Sequence, residues 1–61
     1  MTYFVSFSYR LHGEQRFGNR VIDADKEITW SYDIEKLEAK ITETASADVK
    51  EVRILFFQRL A

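Results

Sequence analysis

The sequence predicts an α+β domain of ββαβ order, with three strands in one antiparallel sheet and a single helix packed on one of its faces. Three observations carry this reading. Thr2 to Leu11 alternate apolar and polar residues, Trp30, Ile34, Leu37 and Ile41 recur at helical spacing, and Glu51 to Leu60 return to a β-rich run. A chain of 61 residues has room for one layer of helix on one layer of sheet, so residues 1–61 read as a single domain.

In the first segment Tyr3, Val5, Phe7, Tyr9 and Leu11 fall on one side of a strand, and Phe4, Ser6, Ser8 and Arg10 on the other. His12, Gly13, Glu14 and Gln15 interrupt it as a polar hairpin turn, with Gly13 suited to the positive φ that such turns require. The second arm spans about Phe17 to Ala24 and contains Gly18, a residue that often marks a bulge or a close backbone approach. Its register stays open: either Phe17 and Val21 face the core, or Ile22 and Ala24 do, and one bulged residue exchanges the two.

Asp23, Asp25, Lys26 and Glu27 form a polar connection to the helix. Trp30, Ile34, Leu37 and Ile41 make its apolar stripe. Ser31 is the expected N-cap, with Thr29 the alternative, and Asp33 and Glu35 suit the positive end of the helix dipole. The helix should persist to about Thr44 or Ala45, with Ser46 to Lys50 as a short connection. The last strand places Val52, Ile54, Phe56 and Leu60 on one side, and Arg53, Leu55, Phe57 and Arg59 on the other. Because the helix returns this strand parallel to the second, it lies antiparallel to the first, giving strand order 2-1-3. The expected core is Tyr3, Val5, Phe7, Tyr9, Ile34, Leu37, Ile41, Val52, Ile54 and Phe56.

Composition narrows the function. A 46% hydrophobic and 15% aromatic content without proline argues against disorder. The absence of cysteine gives no reason to invoke an oxidising compartment, so the cytoplasm is the expected location. Met1 to Leu11 alternates instead of presenting a basic head and an apolar run, so it does not read as a signal peptide. No segment approaches the roughly 20 apolar residues of a membrane span. A net charge of -1 offers no global field for nucleic acid or an anionic membrane.

No phosphate-binding glycine loop, nucleophile elbow or acid-base pair at a diagnostic spacing is present, so no catalytic residue, cofactor or metal site is assigned and the chain does not read as an enzyme. His12 is one histidine beside a glycine, without a second histidine or a cysteine for a metal. Asp23 and Asp25 fit a polar strand end better than a cation site, and Glu35, Glu38 and Glu43 fit a solvated helix surface.

The informative feature is the sheet face that one helix cannot cover. Phe4, Leu55 and Phe57 are expected there, surrounded by Arg10, Arg53 and Arg59. Scattered surface aromatics shielded by arginine stems are the plain explanation. Contiguous apolar groups with a polar rim are instead the usual anatomy of an interface, which makes a self-association or partner-binding patch the expected reading. Single-stranded nucleic acid, stacked on Phe4 and Phe57 with the arginines on phosphates, is the alternative.

Tyr3-Phe4-Val5-Ser6, Phe17-Gly18-Asn19, Ile28-Thr29, Asp33-Ile34 and the apolar run from Val52 to Leu60 together resemble a pattern found in small bacteriophage- and prophage-encoded proteins, mostly without assigned function. Trp30-Ser31-Tyr32 and the polar hairpin turn depart from that pattern. The resemblance implies a phage-like accessory protein, one that would self-associate or bind a host protein through sheet edge and open face, and supplies no catalytic residue.

Overall fold

The computed structural model describes residues 1–30 and 33–61. Its elements are β1 (Thr2–Leu11), β2 (Glu14–Asp23), α1 (Ile34–Thr44) and β3 (Val49–Arg59). Both strand pairings are antiparallel and the sheet order is β2-β1-β3, so the expected ββαβ architecture and topology are the observed ones. No helix among the described residues is long and apolar enough to cross a membrane.

The hairpin turn is tighter than expected. His12 and Gly13 alone form the loop, with φ of 52° and 81°, the doubly left-handed geometry whose twist matches that of the flanking strands. Glu14 and Gln15 therefore belong to β2, which pairs with β1 without a shift from Leu11↔Glu14 to Thr2↔Asp23. That register places Ile22, Arg20 and Gly18 opposite Tyr3, Val5 and Phe7 on the helix side. Ile22 and Ala24 pack against the core, while Phe17 and Val21 point away from it.

Tyr3, Val5, Phe7, Leu37, Ile41, Val52 and Ile54 form the buried core, with Tyr9, Ile34 and Phe57 partly buried against it. Strand and helix periodicity select the same interior from both layers. One expected member is displaced: Phe56 is 48% exposed, and Phe57 takes the inward position instead. The cause is a bulge, because pairing steps from Ser6↔Phe56 to Phe7↔Ile54 and leaves Leu55 as an extra residue. An extra residue inverts the alternation for everything beyond it. A second shift lies between Ser8↔Arg53 and Arg10↔Lys50, beside Glu51, whose φ is 53°.

The helix begins later than its apolar stripe suggests. Ile34 is its first residue and Asp33 its N-cap, without a side-chain bond to the first turn. The expected cap Ser31 lies outside the described residues. Thr29, the alternative, is not the cap: its amide and hydroxyl both donate to the Asp33 carboxylate, at 2.9 and 3.3 Å. Trp30 precedes the helix and sets its ring 5.1 Å from that of Phe57, which in turn meets Tyr3 edge-on at 5.9 Å. The buried Tyr3 hydroxyl accepts a hydrogen bond from the Ile28 amide at 3.0 Å, tying the connection between β2 and α1 to the core.

Glu38, expected on a solvated helix surface, is half-buried and accepts a 2.8 Å hydrogen bond from the Ile54 amide. This amide points outward from β3, an edge strand, and the helix carboxylate satisfies it there.

Candidate interaction face

The side of the sheet opposite α1 is built by alternation along β1 and β2 and by the Leu55 bulge along β3. Across β2 and β1, Val21 stands opposite Phe4, Asn19 opposite Ser6 and Phe17 opposite Ser8. Across β1 and β3, Ser6 stands opposite Phe56, Ser8 opposite Arg53 and Arg10 opposite Lys50. At a bulge the extra residue and its neighbour share a side, which turns both Leu55 and Phe56 outward. The resulting face carries Phe4, Phe17, Val21, Leu55 and Phe56. Phe17 is 69% exposed and Val21 60%, so neither hydrophobe is covered by the chain itself. Ser8 is buried on this same side, since larger neighbours close over a small side chain between them.

Of the residues expected here, Phe4, Arg10, Arg53 and Leu55 occupy the face. Phe57 and Arg59 do not. The register beyond the bulge pairs them with Val5 and Tyr3, which carries both to the helix side. Phe17, Val21 and Phe56 are the members that sequence reasoning missed or left open. The signal for Phe17 and Val21 is Gly18, which lies with Ile22 on the helix side of β2, where the ring of Phe7 needs the space of a missing side chain.

Charge on the face is mixed. The Arg10 guanidinium lies 2.7 Å from the Glu51 carboxylate and also donates to the Gly13 carbonyl at 3.2 Å. Arg53 donates to the Val52 carbonyl at 3.1 Å. Asp23 accepts from the Thr2 hydroxyl at 2.9 Å, as a polar strand end would. These exposed pairs orient side chains more than they stabilise the fold.

Among the described residues, the remaining titratable groups assemble no reactive cluster. His12 sits in the exposed turn with its Nε2 3.7 Å from the Asp48 carboxylate, too far for a hydrogen bond. Among the described residues no three His, Cys, Asp or Glu side chains converge as a metal site would require. An open groove of about 370 Å³ runs between the residue 22–28 connection and α1, lined by Asp23, Asp25 and Asp33 facing Lys26, Lys36 and Lys40. Charges of both signs, Glu27 included, sit there beside the apolar Ile22, Ala24, Ile28 and Leu37, and the groove lies open to solvent where a small-molecule pocket encloses most of its ligand.

No protein-family model matches the chain, and no similar curated protein or solved structure is found.

Proposed function

We propose that this chain is a non-enzymatic protein-interaction module that binds another polypeptide, a host protein or a further copy of itself, through the open face of its sheet. The observation that carries the reading is the gathering of Phe4, Phe17, Val21, Leu55 and Phe56 on one uncovered side, with Arg10, Arg53 and Lys50 at its border. Apolar groups held in a rigid sheet and rimmed by polar ones desolvate at low entropic cost. The two longest extents of the molecule, 34 and 18 Å, limit the area one copy can offer to about 600 Å², near the lower end of specific interfaces. An accessory role in a bacteriophage rests on the sequence resemblance alone, and a cytoplasmic setting on the absence of cysteine.

Single-stranded nucleic acid is the weaker reading. Its proposed cations are reduced, because Arg59 lies on the other side and Arg10 is paired with Glu51. A backbone-neutralising site needs several free cations beside its stacking rings.

Capture from extract, with and without nuclease treatment, tests the proposal, comparing the immobilised parent with a Leu55→Asp, Phe56→Asp double variant whose melting is first shown to be cooperative. A polypeptide retained by the parent and released by the variant supports it. Equal retention by both proteins, or retention that nuclease abolishes, contradicts it.

A further inference from the structure

The two edges of the sheet are built differently. β3 carries two bulges, at Leu55 and beside Glu51, and the outward Ile54 amide is satisfied by Glu38. Each of these devices obstructs the addition of another strand. β2 has none of them. It pairs with β1 through ten regular residues without a shift and contains no proline. The alternation of the antiparallel ladder turns the backbone groups of Gln15, Phe17, Asn19, Val21 and Asp23 outward. Among the described residues, no hydrogen bond from another segment reaches these five amides. α1 lies toward β3, which leaves this edge open to approach.

We infer that two copies of this chain pair antiparallel along β2, about a two-fold axis at Asn19, into one continuous six-stranded sheet. Cross-strand chemistry selects the register. Two long alignments keep both helices on the same side, one centred on Gly18 and pairing Glu14 to Ile22, the other centred on Asn19 and pairing Gln15 to Asp23. The first sets Arg16 opposite Arg20 of the second copy, twice, and like charges directly opposite repel. The second sets Phe17 opposite Val21 of the second copy, twice, an aromatic against a β-branched residue on the open face. On the helix side it sets Arg16 opposite Ile22 and Arg20 opposite Gly18, with no like-charge pair. Alignment on Arg20 would bring two arginines face to face, and alignments on Phe17 or Val21 pair shorter stretches. This inference stands on the strand edge and not on the open face, although pairing would join two open faces into one of twice the area.

The test uses sedimentation together with single cysteines, which the chain otherwise lacks. Opposed residues of a hydrogen-bonded pair stand about 5.5 Å apart at Cα, inside the roughly 4.4–6.8 Å that a disulfide spans. The parent should be a dimer at micromolar concentration, and Asn19→Cys should oxidise to a disulfide-linked dimer. Gln15→Cys and Phe17→Cys should do so at least about ten times more slowly, since four or more residues of offset place the two sulfurs beyond reach. Asn19→Pro removes an outward amide and no bond of the β1 and β2 ladder, so it should yield a folded monomer. If that variant does not fold, the cysteine rates still decide. A monomeric parent overturns the inference. So does a dimer in which Asn19→Cys oxidises no faster than Gln15→Cys or Phe17→Cys.

Discussion

The ring of Phe7 occupies the space above Gly18: a β-carbon at Gly18 would stand 3.1 Å from Phe7 Cζ and 3.2 Å from Cε2. The two residues are direct partners across β1 and β2. Gly18 is therefore the gap that admits a core aromatic, and it holds β2 in the register that turns Phe17 and Val21 outward. A glycine inside a strand normally gains stability on replacement by alanine. Here Phe7 is buried and packed beside Tyr9, whose ring is 5.9 Å away, so it has little room to yield. Gly18→Ala is expected to destabilise the fold by about 1–2 kcal/mol through overpacking. Urea unfolding of Gly18→Ala, in the parent and in a Phe7→Leu background, checks this, because the shorter side chain should remove most of the cost.

Tyr3→Phe tests the tether between the core and the connection to α1. The variant leaves the Ile28 amide partly buried without its acceptor, at an expected cost of about 1 kcal/mol. Hydrogen exchange at Ile28 should accelerate while exchange in the middle of β1 follows only the global loss. Unchanged exchange at Ile28 would mean that the phenol does not hold this segment.

The bulge at Leu55 makes two adjacent phenylalanines unequal. Phe57 packs against Tyr3 and Trp30, so Phe57→Ala should cost about 2–3 kcal/mol, whereas Phe56→Ala on the open side should change stability by no more than about 0.5 kcal/mol. Thermal melting of the two variants distinguishes this placement from uninterrupted alternation, which reverses their order.

This pair also shows where the sequence is legible and where it is not. Val5, Phe7 and Tyr9 are separated by Ser6 and Ser8, and Ile34, Leu37 and Ile41 are the large apolar residues of an otherwise mostly charged and polar helix, so periodicity identifies the interior. From Ile54 to Phe57 every residue is apolar, which leaves no alternation to read and hides an inserted residue. Val21 and Ile22 pose the same ambiguity in β2, and only the fit of Phe7 over Gly18 resolves it. Trp30 obeys helical spacing yet packs on Phe57 from outside the helix, because that contact is tertiary. Glu38 looks like any exposed helix carboxylate until the unpaired Ile54 amide is brought beside it.

Asp33 predicts a pH dependence. Hydrogen bonds from the Thr29 amide, and then its hydroxyl, hold the carboxyl below its ordinary value of 3.8, with Lys26 and Lys36 adding in the same direction. A group whose pKa is depressed on folding stabilises the native state above its unfolded value, and that contribution disappears as pH falls through the folded one. Chemical denaturation between pH 6 and pH 2 should therefore show a steeper acid loss for the parent than for Asp33→Asn. The group is exposed, so the difference should shrink as salt is added. Parallel pH profiles would contradict the assignment.

The open face is the centre of the functional account, and site-specific photo-crosslinking reads it most directly. A photoreactive phenylalanine analogue at Phe56 reports on that face, and the same analogue at Lys36, exposed on α1, reports on the other. After irradiation in extract, the account expects discrete polypeptide adducts from position 56, resistant to nuclease and absent from position 36. Adducts of equal yield and pattern at both positions, or none at position 56, would contradict it.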